Sequence, residues 1–394
     1  MLIFSRFIHT SPNNFMESPG ETTKVSENIL AIAGQFNHQG KIVQIKPFGN
    51  GNINDTFLVD LDLNGQGQTS FILQRINHQV FKNPAAVMGN MVWVTTHIKQ
   101  KLQRYPLGRP WSMPEVILTK NNQDHWDSGT GQFWRAISFI EGSESFDILT
   151  SPRQAQEVGT ALGIFHQLLS DLPPAKLVDT LPGFHHTPGY LQQYHQALAS
   201  SQRAVGEFNR EIAHCRAVVE EWTPVVEVLE QAKVKRLLPL RLMHGDPKVN
   251  NILFDRQSGQ AVSVIDLDTT KPGLIHYDLG DCLRSGCNLL GEETENWSAV
   301  EFDLDLCQGI LQGYLPQCRH FLTAADYDYF FPAIALISFE LGLRFFTDYL
   351  NGDHYFKVKY PPHNLIRALV QFQLATRIKS QESSIRQMIE EISG

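Results

Sequence analysis

His244, Gly245, Asp246, Pro247, Lys248, Val249, Asn250 and Asn251 put a carboxylate and an amide five positions apart, and fifteen residues after Asn251 an apolar run (Val262, Val264, Ile265) delivers a second carboxylate, Asp266. That set of groups suits phosphoryl transfer to an alcohol. Asp246 is the candidate base, since a carboxylate with an ordinary pKa of about 3.9 is ionised at neutral pH and can orient a hydroxyl and accept its proton. Asn251 and Asp266 offer hard oxygen ligands of the kind that hold magnesium between nucleotide phosphates. Lys248 can neutralise charge on the group in flight. Alone, His-Gly-Asp reads as a turn and Ile-Asp-Leu-Asp as a strand end; order, spacing and an intervening hairpin set the combination apart.

The elements that must carry these groups fall into two parts. Phe57, Val59, Leu61 and Leu63 alternate before an Asn64-Gly65-Gln66-Gly67 turn, and Phe71-Ile72-Leu73 follows, which predicts a β-hairpin. Beyond Pro84, residues Val87, Met91, Val94, Ile98 and Leu102 recur at helical spacing. Two further strand-like runs lie near Glu115–Leu118 and Phe133–Ile140, and Glu141-Gly142-Ser143 is the expected hinge. From Ser151 the pattern turns helical, with a stripe of Val158, Leu162, Phe165 and Leu169 and longer helices over Val205–Ala232 and Phe330–Leu350. Within that part Ile252–Asp255 and Val262–Asp266 form a short hairpin, so the two candidate acids bracket it. The expected division is a disordered extension over 1–30, a β-rich nucleotide-binding lobe over 31–140 and a helical catalytic lobe over 141–394.

Composition narrows the rest. A chain of 394 residues, 42% of them hydrophobic, can bury a large core. A net charge of −8 and no run of five basic residues argue against a nucleic-acid partner. The five cysteines, Cys215, Cys282, Cys287, Cys307 and Cys318, form no Cys-x-x-Cys pair, which fits reduced thiols and a cytoplasmic location. Met1 to Phe7 is apolar but too short for a secretory core or a membrane span, and Met16 is an alternative start. Oligomeric state leaves no trace in the sequence.

His244-Gly245-Asp246 with Asn251 and Ile265-Asp266 resembles the aminoglycoside phosphotransferase and choline kinase superfamily. That resemblance implies an α+β, two-lobed, protein-kinase-like fold: a small antiparallel sheet lobe and a larger, mostly helical one. A narrower resemblance, to the N-acetylhexosamine 1-kinases, rests on five segments. They are Gly49-Asn50-Gly51-Asn52-Ile53-Asn54-Asp55-Thr56; Gln74-Arg75-Ile76-Asn77 with Val80-Phe81-Lys82; Ile265-Asp266-Leu267-Asp268-Thr269; Asp278-Leu279-Gly280-Asp281; and Leu341-Gly342-Leu343-Arg344-Phe345. It implies ATP- and Mg2+-dependent phosphorylation of the anomeric hydroxyl of N-acetylglucosamine or N-acetylgalactosamine. Asp246 would be the base, Asn251 and Asp266 the metal ligands, and Asp246, Thr269, Arg344 and Tyr355 the sugar contacts. ATP would lie under Gly49, Asn50, Gly51, Asn52 and Asn54, near Gln74, with adenine against the hinge at Ser138 and Ile140.

Two departures from the protein-kinase pattern stand together. Phe71-Ile72-Leu73 runs into Gln74 and Arg75 where the third-strand lysine belongs, so a neutral amide or a shifted arginine replaces it. No acid occurs between Phe81 and Gln103, where its glutamate partner belongs. Other readings are a kinase for a different small alcohol (choline, homoserine or an aminoglycoside) and a nucleotide-binding pseudokinase. Asp278 and Asp281, in an expected turn at Gly280, read as structural acids holding the catalytic loop or Arg284. His166 reads as a core residue.

Overall fold

The computed structural model describes residues 28–49, 53–65, 67–129, 131–204 and 208–394. A short helix over 28–33 precedes β1 (Lys41–Pro47), β2 (Asp55–Asp62), β3 (Gln68–Ile76), α1 (Pro84–Arg104), β4 (Val116–Ile117), β5 (Trp126–Asp127) and β6 (Phe133–Ser138). These strands form one antiparallel sheet in the order β1-β2-β3-β6-β4, with β5 also paired to β6. Alternation divides its faces. Val59, Leu61, Phe71, Leu73, Trp134 and Ala136 pack on one side against Ile32, Ala33 and Phe36. Thr56, Gln74 and Arg135 stand opposite one another across β2, β3 and β6 and belong to the other face.

Helix α1 starts as expected: Pro84 fills its first turn and the Asn83 side chain accepts from the Ala86 N–H at 3.1 Å. Its apolar stripe, Val87, Met88, Met91, Val94 and Ile98, belongs to the core of the larger lobe.

That lobe contains β7 (Ser143–Glu144), α2 (Pro152–Leu169), α3 (Thr187–Ser200), α4 (Asn209–Trp222), α5 (Val228–Val234), β8 (Arg241–Met243), β9 (Ile252–Asp255), β10 (Ala261–Val264), β11 (Lys271–Gly273), α6 (Ile275–Gly286), α7 (Leu304–Cys318), α8 (Ala324–Asn351), α9 (His363–Ser380) and α10 (Glu382–Ser393). The chain leaves the sheet at Ser138, turns at Gly142 (φ +71°) and enters the helical lobe where Ser143 pairs with Asp255. The fold is therefore the α+β, two-lobed arrangement anticipated.

Two local expectations need correction. The helix foreseen over Val205–Ala232 is broken into α4 and α5, because Pro224 cannot donate the backbone hydrogen bond that continuation requires. Asp278 and Asp281 lie in α6, not in a turn; Gly280 is there because a Cβ would sit 3.0 Å from the Ala333 carbonyl of α8. Helix α8 is long and apolar enough to cross a membrane, yet most of it is buried as the central core helix.

Candidate active site

The catalytic loop between β8 and β9 is held from beneath by one carboxylate. Asp278 accepts the backbone N–H of His244 at 2.5 Å, that of Gly245 at 2.8 Å and the Nε2 side of His166 at 2.8 Å, while His166 Nδ1 meets the Tyr314 hydroxyl at 2.9 Å. Burial opposes its charge, but these partners hold the Asp278 carboxyl below the usual carboxylate range. His244 is fully buried, its Nε2 at 2.9 Å from the Ile265 carbonyl. Gly245 has φ +90°, and a Cβ there would come within 2.8 Å of the Thr269 carbonyl. The Thr269 hydroxyl donates to the His244 carbonyl at 2.8 Å. Its proton is spent on the loop, so toward an acceptor Thr269 offers only lone pairs.

Asp246 then opens on the cleft. Lys248 Nζ lies 3.0 Å from its Oδ2, and that carboxylate, against burial, raises the lysine pKa. Asn251 donates through Nδ2 to the Asp246 carbonyl at 2.8 Å, which leaves its Oδ1 for a cation. Asp266, at φ 65° and ψ 57°, follows β10 in the left-handed region that aspartate tolerates. Solvent reaches its carboxylate, yet protein surrounds it; that enclosure, with Asp268 and Asp246 nearby, pushes it up to about 6. Among the described residues no cation bonds it. A bare amide oxygen and an uncompensated carboxylate therefore fit a divalent cation that shares its remaining positions with water and phosphates.

The nucleotide side differs from expectation at several positions. Asn50, Gly51 and Asn52 lie outside the described residues, and Gly49 sits at φ +75° with open space beside it. Asn54 is already engaged: its Nδ2 donates to Asp268 at 2.7 Å and its Oδ1 accepts the Asn77 N–H at 3.0 Å. Gln74 is likewise engaged, with Oε1 accepting from Arg135 Nε and Nη2 at 2.9 and 2.7 Å and Nε2 donating to Thr56 at 3.0 Å. Arg75 is not the shifted cation, since it pairs with Asp55 and lies over Trp134 on the far face of the sheet. The missing positive charge enters from β6, where Arg135 forms a fully buried ion pair with Asp268 at 2.5 Å. At the hinge, Ser138 exchanges bonds with the Glu115 backbone, and the Ile140 carbonyl accepts from Ser143 Oγ at 2.6 Å.

Arg344 of α8 reaches into a box of rings. Its guanidinium carbon lies 5.2 Å from the Phe184 and Tyr190 centroids, 5.4 Å from Phe356 and 5.9 Å from Tyr355. No described carboxylate pairs with it directly, although Tyr190, Tyr355, Glu340 and Asp246 outweigh burial and hold its pKa above the usual value. Glu340, one turn earlier on α8, accepts from Thr187 at 2.6 Å and meets His185 Nδ1 at 2.8 Å; His185 Nε2 in turn reaches the Gly245 carbonyl at 2.8 Å. His185, Glu340 and Arg135 were not singled out from the sequence. No motif marks them, because each acts through partners remote in the chain.

A two-lobed kinase-type fold with an acid, an amide and a second acid converging on its cleft is the frame of a phosphotransferase. The phosphotransferase enzyme family (APH) model matches residues 44–315, and the chain belongs to that family. The chain is similar in fold to an aminoglycoside phosphotransferase from Alicyclobacillus acidocaldarius, with TM-score 0.61 and 18% identity over 92% of this chain and 96% of that one. It is similar also to a choline kinase from Cryptosporidium parvum (TM-score 0.58, 13% identity, 91% and 97% covered) and to amicoumacin kinase hAmiN (0.56, 13%, 92% and 96%). At these identities the likeness is one of fold.

Proposed function

We propose that this protein uses ATP and magnesium to phosphorylate the C1 hydroxyl of an N-acetylhexosamine. The observation that carries the acceptor class is Arg344. Its guanidinium already fills the aromatic box coupled to Asp246, so a quaternary ammonium or a polycationic aminoglycoside would meet like charge where those substrates need π-faces or acids. A neutral, oxygen-rich ring suits the arginine and tyrosine donors; burial pushes Tyr190 up to about 12, so its hydroxyl stays a donor. The N-acetyl group and the C1 position rest on the resemblance of the five segments.

Asp246 orients the acceptor hydroxyl and takes its proton late in the transfer, while Lys248 balances charge beside it. Asn251 and Asp266 would hold magnesium, which when bound draws charge from the phosphate oxygens. The AMP-PNP and Ca2+ named in the amicoumacin kinase complex support a nucleotide and a divalent cation for this family. Intact Asp246, Asn251 and Asp266 speak against a pseudokinase.

Arg344 also admits one other acceptor class, a hydroxy acid such as homoserine whose carboxylate would pair with it. Magnesium-dependent ADP release over N-acetylglucosamine, N-acetylgalactosamine, the free hexoses, homoserine, choline and an aminoglycoside separates these readings. Turnover of an N-acetylhexosamine at least about tenfold above every other acceptor is expected. Preference for choline or homoserine sinks the proposal.

A further inference from the structure

The kinase lysine–glutamate pair ties the sheet to the helix beside it and to the phosphates. Here both partners are missing, but neither lobe is left untied. Arg135 is 1% exposed and Asp268 3%, so their ion pair is sealed from water, and Gln74 occupies the guanidinium's other edge. The second oxygen of Asp268 takes Asn54, at the exit of the segment that begins at Gly49. Asp268 stands two residues beyond Asp266 and thus joins three things: the sheet through Arg135, Asn54, and the turn that carries Asp266. The helix is tied separately. Asn90 of α1 donates to the Thr270 carbonyl at 3.0 Å and the Val178 carbonyl at 2.8 Å and accepts the Val178 N–H at 3.0 Å.

We propose that Arg135, Gln74, Asp268 and Asn54 form a permanent latch between the lobes that takes over the work of the lysine–glutamate pair, presetting Asn54 and Asp266 for the nucleotide. The side chains of the latch act as positioning residues. The cation does not touch phosphate, being enclosed; it fixes Asp268, and Asp268 fixes Asn54. Because breaking a buried pair strands the remaining charge, the latch does not open during turnover. The presetting shows up as nucleotide affinity, since Asn54 and Asp266 need no rearrangement when ATP arrives.

This inference rests on the proposed nucleotide chemistry, and its test reads ATP binding without acceptor. Calorimetry with ATP, with and without magnesium, is run on the full chain and on Arg135→Met, Arg135→Lys and Asn54→Ser, alongside thermal melting. About tenfold weaker ATP binding is expected for Arg135→Met and about fivefold for Asn54→Ser, with partial recovery in Arg135→Lys. Asn54 is only half-buried, so its variant decides the matter even if Arg135→Met does not fold. Amide exchange over residues 53–57 should quicken in the ATP-free variants, and the acceptor KM should not move. Variants that melt earlier but bind ATP within twofold of the parent assign the network a purely structural role and overturn the latch alone. A parent chain that binds no ATP overturns the latch and the functional reading together.

Discussion

Asn251 divides one amide between two tasks: the nitrogen steadies the Asp246 carbonyl and the oxygen is left for a cation. Asp246→Asn keeps that geometry but removes the proton acceptor. The expected loss in kcat is about 10²- to 10⁴-fold with ATP affinity retained, read by steady-state kinetics beside calorimetry. Near-normal turnover would remove Asp246 from the chemistry. Arg344 is proposed to act on the other substrate. Truncation to methionine preserves stem volume and deletes the charged donors, so acceptor KM should rise about tenfold or more while ATP KM holds. The same variant should accept choline no worse than the parent, because the repelling charge is gone; poorer choline use would contradict the role given to the box.

At the scale of elements, the active loop is as good as the helices beneath it. Asp278 reaches from α6, His166 from α2 and Tyr314 from α7, and α2 and α7 approach so closely that a Cβ on Gly313 would lie 2.0 Å from the Gln156 carbonyl. Gly313→Ala forces the helices apart and should cost about 1–3 kcal/mol by urea denaturation, with activity falling as His166 retreats. Asp278→Ala strands two buried N–H groups and should cost about 3 kcal/mol or more. What the sequence disclosed follows the same line. Asp246, Asn251 and Asp266 were legible because their partners are close in the chain, and β2, β3 and α1 because alternation and helical spacing are local signals. Asp278 was readable as structural but not as part of a helix, since Gly280 looks like a turn until the contact with α8 explains it. Asn54 and Gln74 were read only as nucleotide-side residues; their bonds to Asp268 and Arg135, at 214 and 61 residues' separation, were hidden because no spacing rule applies there.

For the whole molecule, one buried histidine, His276, contributes a definite part of the response to acid. Burial pushes His276 down to about 4, so between about pH 4 and the unfolded value near 6.5 the unfolded chain binds the extra proton and stability rises with pH. That is roughly 3 kcal/mol across the window. Asp266, raised to about 6, titrates there with the opposite sign, favouring the folded state at lower pH, and masks the slope. The difference between the parent and His276→Gln isolates it: the urea midpoint at pH 7 minus that at pH 5 should be more positive for the parent than for the variant. Helix α1 carries a last consequence. It is threaded between the sheet and the larger lobe, with Val87, Met91, Val94 and Ile98 belonging to a core that residues from α2 onward complete. The two lobes are thus not modules that could be cloned or shuffled apart. A strand-rich fragment ending near Gly142 would present an oily helix to water and aggregate, whereas a nick at the same place in the folded chain would leave two pieces that stay together and go on working.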